Sequence, residues 1–300
     1  MRGMRNIVFA VTALTMLPWT PLLGQIERFG GQDQQFGDYW SLTPYQFSIV
    51  TVRPTGQPLI PLFEGWFPNP DGTYGLSFSY FNMNNEETFH IPIGPDNFLE
   101  PAEYNGMQPT YFMPAAPPGR EGEQRHYRHQ AVFTVNVPGD FGTDDVVWTL
   151  RYKGKTLMVP GRITVEGSRI ENLEASTSAP EAPALSFDQG GPAGRGRAGV
   201  TMGPLDVRVG DPLPLNVWVD PLSRTEREFK LFWFEHQGPA PVAFADREFD
   251  VPAGGGQLTT TATFREPGEY VVRVTSLETL SSMVQHCCYT NNYVKVTVTP

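Results

Sequence analysis

His286, Cys287 and Cys288 stand side by side and present three soft donor groups in consecutive positions. The chain has no other cysteines. In an oxidising compartment neighbouring thiols rarely stay free, and a disulfide between them closes a strained, easily reduced ring. Such a loop could respond to redox state, form a ligand platform, or hold a metal with His286 as a third donor. Structural zinc sites space their paired cysteines by two or more residues, and this motif lacks that gap. The competing reading is a rigid staple on the last loop, or a pair of buried apolar thiols. A vicinal disulfide between Cys287 and Cys288 is the expectation; a metal is not.

Aromatic side chains offer a second kind of chemistry. Exposed rings stack on sugars or anchor a protein partner. Phe78 and Tyr80 fall on one face of a period-2 pattern and belong to a core. Trp66, Phe67, Tyr104, Tyr111 and Phe112 lie in irregular stretches, so they are the ligand-binding candidates. Trp66-Phe67, just ahead of a turn, leads them.

Other groups are weaker. His126 and His129 flank Tyr127-Arg128 in a polar tract and read as solvated loop residues. His90 reads as a strand residue. The acidic pairs Glu86-Glu87 and Asp144-Asp145 put strand neighbours on opposite faces, whereas glycosidases need two carboxylates facing each other across a cleft. Asp71, Asp96, Asp140 and Asp144 are loop oxygen donors of the kind calcium takes, but no spacing singles them out. Gly254-Gly255-Gly256 lacks a following Lys-Ser/Thr and is a turn. No G-x-S-x-G, H-E-x-x-H or Walker-type loop occurs. No catalytic residue and no cofactor is expected.

The N-terminal 24 residues carry Arg2 and Arg5, then an apolar run from Ile7 to about Leu23 broken by Pro18 and Pro21. A basic start, a short apolar stretch and a small residue at Gly24 predict a Sec-type signal peptide cleaved near Gly24–Gln25, with a secreted or periplasmic product. The run is too short to span a bilayer uninterrupted, and no other stretch is long enough. Cleavage would remove two positive charges and no negative ones from a chain whose net charge is already −10. Scattered arginines on so acidic a chain exclude nucleic acid and anionic lipid as partners.

The elements that must position these groups are strands. Gly and Pro are abundant, at 30 and 29 residues, and no stretch repeats apolar residues at helical spacing. Short β-rich segments between Gly/Pro turns predict an all-β chain of two antiparallel β-sandwich domains. Residues 25–40 read as an irregular arm and 41–175 as the first sandwich. Its faces are Leu76/Phe78/Tyr80, Ala131/Phe133/Val135/Val137 and Val146/Trp148/Leu150/Tyr152, opposed by polar residues. Asn69-Pro70-Asp71-Gly72 predicts a hairpin turn, and Pro117–Gln130 a mobile loop. Residues 176–199 are poor in large apolar side chains, apart from Leu185 and Phe187, and predict a flexible Ala/Pro/Gly linker. Residues 200–300 predict an immunoglobulin-like sandwich of six strands, with Trp233 in its core and Tyr270 as a tyrosine corner.

Several strings carry a resemblance: Glu64-Gly65-Trp66-Phe67-Pro68-Asn69-Pro70-Asp71-Gly72-Thr73-Tyr74, Ile91-Pro92-Ile93-Gly94-Pro95-Asp96-Asn97, Gln108-Pro109-Thr110-Tyr111-Phe112 and Phe133-Thr134-Val135-Asn136-Val137-Pro138. With Cys287-Cys288-Tyr289-Thr290-Asn291, they resemble an uncharacterised family of secreted proteins from environmental bacteria. That family follows an N-terminal β-sandwich with a polycystic-kidney-disease (PKD) or immunoglobulin-like domain. The resemblance implies architecture and export, and supplies no active residues.

These readings favour an exported binding or structural module that engages a protein or glycan through loops and exposed aromatics. The alternatives are a metal-dependent or redox-active secreted protein using His286-Cys287-Cys288, and a self-assembling cell-surface protein whose sheet edges pair between chains.

Overall fold

The computed structural model describes residues 54–114, 128–170, 182–221, 229–278 and 289–300. The signal segment, the arm, His126, most of the polar tract, the first quarter of the expected linker and His286-Cys287-Cys288 lie outside these residues. Chain contacts gather Val52–Pro300 into one compact unit that contains both sandwiches. No helix among the described residues is long and apolar enough to cross a membrane.

The first sandwich opens with a hairpin of β1 (Leu59–Pro68) and β2 (Tyr74–Asn82). Its turn forms as the residue types require. Asn69 N donates to Thr73 O at 2.8 Å, and the Asp71 carboxylate takes both the amide and the hydroxyl of Thr73. The β6 strand (Arg128–Val137) adds to β2 and completes a three-stranded antiparallel sheet. The facing sheet runs β4 (Asn97–Glu100), β7 (Val146–Tyr152), β8 (Lys155–Gly161). A two-strand pair, β3 (Phe89–His90) with β5 (Tyr111–Phe112), lies between them in the chain. The core is aromatic: Phe78 stacks on Phe133 at 5.1 Å, and Trp148 meets Phe133 edge-on at 5.0 Å. Leu76, Phe78 and Tyr80 are all buried here, as their alternation predicts.

In the second sandwich one sheet is ordered β10-β9-β12-β16-β14 and the other β11-β18-β17-β13-β15. The first set comprises β9 (Leu185–Ser186), β10 (Ala193–Gly194), β12 (Pro212–Val219), β14 (Val242–Phe244) and β16 (Gly256–Phe264). The second comprises β11 (Thr201–Arg208), β13 (Phe229–Gln237), β15 (Glu248–Asp250), β17 (Gly268–Glu278) and β18 (Thr290–Thr299). All pairings are antiparallel except β11 with β18, which run parallel, as a first strand does when it switches sheets in an immunoglobulin-like domain. Trp233 is buried at the centre, and Tyr270 donates its hydroxyl to Glu266 O at 2.9 Å, forming the tyrosine corner.

The expected linker is corrected for residues 182–199. Composition there is poor in apolar residues, but the two exceptions decide the outcome. Leu185 and Phe187 both enter the second core. Leu185-Ser186 pairs with β12, and Asn292 ties the segment at both ends, donating to Leu185 O at 2.8 Å and accepting from Val200 N at 3.0 Å. Two buried side chains and a strand pairing offset the ordering entropy that composition alone would leave unopposed.

Candidate functional site

Period-2 alternation placed Ser77, Ser79 and Thr134 on the polar face of their strands, yet all three are buried. The second sandwich covers that face, and the polar residues of both sheets meet in a dehydrated seam. Glu64, on β1, is its centre. The carboxylate accepts Ser77 Oγ at 3.0 Å and Ala131 N at 3.1 Å, and forms an ion pair with Arg197. Arg197 reaches it from the stretch before β11, also bonds Ser77 Oγ at 3.0 Å, and stacks its guanidinium over the Tyr289 ring at 5.2 Å. Both partners are buried, so each charge relies on the other and on fixed dipoles in place of water.

A second cation closes the same seam. Arg273, on the outer face of β17, donates through one guanidinium nitrogen to Ala131 O at 3.0 Å and Val132 O at 2.9 Å. Its guanidinium lies over Phe234 at 5.0 Å. Burial holds its pKa below the ordinary arginine value, partly countered by Tyr293, Tyr80 and Glu64. Asn291 bonds Ala131 O at 2.6 Å and Arg197 O at 3.1 Å, and accepts Thr275 Oγ1 at 2.6 Å. Ala131 adopts a left-handed φ of 48°, which turns its carbonyl to two partners from the other sandwich, Arg273 and Asn291, and its amide to Glu64. Tyr293 adds a hydroxyl to Val132 O at 3.3 Å, and burial pushes that hydroxyl up to about 12.

At the other end of the seam, the loop before β5 docks on the end of β13. Thr110 N donates to His236 O at 2.8 Å, and Gln237 Nε2 to Gly106 O and Gln108 O at 2.8 Å each. His90 donates Nε2 to Gly238 O at 3.0 Å. His236 Nε2 lies 2.8 Å from Met107 O. A carbonyl only accepts, so Nε2 carries a proton. Burial first, then the Arg273 charge, pushes its pKa down to about 3.

That shift has a sign. Below about pH 6.5 the unfolded chain protonates this histidine while the folded one does not, so falling pH favours unfolding until about pH 3. His236→Gln keeps a donor for Met107 O and removes the titration. Wild type is expected to lose stability more steeply than the variant between pH 6 and 4, by up to about 1.4 kcal/mol per pH unit. Urea denaturation across that range reads the difference; parallel slopes would contradict it.

The sequence-selected aromatics fall elsewhere, and the expectation of a patch of exposed rings does not match their placement. Trp66 is buried, with Nε1 on Val165 O at 3.0 Å and Arg169 over its ring at 5.5 Å. Phe67 is half-buried and covers the face of Gly75. Tyr104 is half-buried and meets Phe141 edge-on at 6.3 Å. Tyr111 and Phe112 are buried: Tyr111 stacks on His90 at 4.5 Å, and Phe112 packs against Tyr80 and Trp148. Trp66 and Phe67 belong to β1 and Tyr111 and Phe112 to β5, so these rings pack with strands that the sequence pattern did not reveal. The Tyr111 hydroxyl has no hydrogen-bond partner among the described residues, and burial raises its pKa.

One member of each acidic pair is engaged in an ion pair. Glu87 meets Lys153, and Asp145 meets Arg162 at 2.6 Å. Among the described residues, no three His, Cys, Asp or Glu side chains cluster at metal-binding distance. Sequence reasoning missed Glu64, Arg197, Arg273, Asn291 and His236. The available signal was Arg273 between Val272 and Val274, a charge inside a run of core-type residues.

No protein-family model matches the chain, and no curated protein matches it. The resemblance to a secreted bacterial family therefore rests on the quoted strings. Among solved structures the chain is similar to the D0-D1 domain of intimin, at 11% identity over 80% of this chain and 98% of that one, with a TM-score of 0.23. It is similar to domains 4 and 5 of the S-layer protein SbsC, at 12% identity over 53% and 66%, TM-score 0.23. It is also similar to CfaE, the adhesive subunit of the CFA/I fimbria of enterotoxigenic Escherichia coli, at 8% identity over 83% and 82%, TM-score 0.22. Scores this low add nothing to what the strand order already shows.

Proposed function

We propose that the chain is an exported, non-catalytic binding or structural module that presents two β-sandwiches as one rigid unit to a protein or glycan partner. The seam supports this reading most directly. Its buried charges, Glu64, Arg197 and Arg273, close on each other and on backbone groups across the two sandwiches. Such an arrangement fixes the relative position of two sheets, as a scaffold requires. Export follows from the N-terminal segment, with a secreted or periplasmic product.

The test has two arms. Expression of the full chain in a Sec-competent bacterium should release a mature protein beginning at or near Gln25, read by N-terminal sequencing. The purified protein should bind saturably to bacterial cell-surface preparations or insoluble polysaccharides and leave them chemically unchanged. An unprocessed product retained in the cytoplasm, or turnover of a bound polymer, would overturn the proposal.

A further inference from the structure

The outer face of the β9-β12-β16 sheet has the chemistry of a sugar platform. Alternation along β12 sends Leu215, Val217 and Val219 into the core and Pro212, Pro214, Asn216 and Trp218 to the other side. Trp218 is half-buried and does not pack against the second core. An indole on an outer sheet face makes no contribution to the core that would explain its size.

The neighbours of this indole are uncharged hydrogen-bonding groups. Trp218 stands opposite Gln257 in the β12–β16 register, and Asn216 opposite Thr259. Asn216 Oδ1 accepts both Gln257 Nε2 at 3.0 Å and Thr259 Oγ1 at 2.8 Å. These bonds fix the amides in place. They leave the Asn216 amide hydrogens, the Gln257 carbonyl and the Thr259 oxygen lone pairs as an ordered set of donors and acceptors. Thr261 and Thr263 extend the row along β16. Neither β12 nor β16 contains a charged residue, in a chain whose net charge is −10. β12 pairs with β16 along its full length and with β9 at Trp218 and Val219, so around the indole the β12 backbone is paired on both sides and side chains are what is on offer.

We infer that this face binds a neutral polysaccharide, with Trp218 as the stacking platform and Asn216, Gln257 and Thr259 as the hydroxyl-reading groups. A pyranose ring presents an apolar face to stack and a rim of hydroxyls that both donate and accept, and this face matches both. The absence of charge disfavours acidic polysaccharides and nucleic acid. A protein partner needs a broad apolar centre, and Trp218 is the one large apolar side chain among the outward residues of these two strands. The row from Pro212 to Trp218 spans roughly 20 Å at strand rise, enough for several sugar units. The inference rests on the binding-module reading and names its ligand class and site.

The test is affinity electrophoresis and co-sedimentation of the full mature chain. The probes are neutral polymers (cellulose, chitin, xylan and mixed-linkage β-glucan) beside acidic ones (alginate and polygalacturonate). Retention is expected on at least one neutral polymer and should not weaken between 50 and 500 mM salt, since no ion pair is involved. Trp218→Ala should weaken it at least tenfold, Trp218→Tyr much less, and Asn216→Ala several-fold. The thermal midpoint of Trp218→Ala should stay close to wild type, because the ring lies outside the core. Neutral-polymer binding unaffected by Trp218→Ala would overturn this site and leave the module reading standing. Failure on every neutral polymer would overturn the inference, while saturable binding to surface protein would still support the module. Self-association abolished by Trp218→Ala would assign the face to a second copy and overturn the glycan.

Discussion

Arg197→Met is expected to cost about 3–5 kcal/mol of folding stability, the usual penalty for removing one partner of a buried ion pair. The cause is the partner left behind. Glu64 is buried on β1 beneath the second sandwich, and without the guanidinium its charge loses its Arg197 partner while Ser77 Oγ and Ala131 N still donate to it. The carboxyl would then take up a proton or admit water, and either response loosens the contact between the sheets. Methionine retains the volume and the packing on Tyr289, so the loss measures the charge and its hydrogen bonds.

A cycle sharpens the point. Glu64→Gln in the Arg197→Met background removes the stranded charge and should recover part of the loss, because an amide can still accept from Ala131 N. The recovery should be incomplete, since Ser77 and Ala131 were matched to a carboxylate with two acceptor oxygens. Urea titrations of the four proteins give the coupling energy directly. Wild type should also unfold in one transition, because the seam joins the sandwiches. In Arg197→Met the transition should broaden or split as they uncouple. A loss below 1 kcal/mol with an unchanged single transition would mean that the pair does not hold the sandwiches together.

Six of the ten strands of the second sandwich were legible in the sequence, and the short strands β9, β10, β14 and β15 were not. Each of its six expected strands overlaps a real one, and Tyr270 bonds Glu266 as the corner pattern requires. Those signals are local: alternation, turn residues and a motif within five positions. The hairpin at Asn69–Thr73 was legible for the same reason. The seam was not legible, because alternation separates two faces without saying what covers the second. Ser77 and Arg273 look like solvent-facing residues until another sheet is placed over them. The stretch 182–199 misled in the opposite direction. Its average composition is that of a linker, yet two side chains, Leu185 and Phe187, anchor it. The expected exposure of the aromatics was misread on a third ground: Tyr111 and Phe112 sit in a strand of two residues, too short to show a period, and are buried all the same. Trp218 shows the converse. It lies in a clear strand pattern, on the face that the pattern assigns to solvent.

Gly199→Ala is expected to be at least as damaging as the loss of Arg197, though no charge is involved. Gly199 has φ +58°, and a Cβ there would fall inside the carbonyl of Asn291. That obstacle is backbone, so it cannot rotate away. Asn291 would have to move, and its side chain holds Ala131 O, Arg197 O and Thr275 in a single arrangement. Its amide also donates to Gly196 O at 3.0 Å, so the strand entrance shifts with it. Gly196 supplies the control. It shares a positive φ, +83°, but a Cβ there meets nothing within 4 Å. Gly196→Ala should therefore show only the conformational cost, about 1–2 kcal/mol. Gly199→Ala adds the displaced seam and should reach about 4 kcal/mol or fail to yield folded protein. Thermal and urea unfolding of both variants compare the two costs in one fold. Equal losses would mean that the close approach to Asn291 is soft and that the seam tolerates movement. A clearly larger loss in Gly199→Ala would show that the segment expected to be a free linker sets the spacing of the two sandwiches.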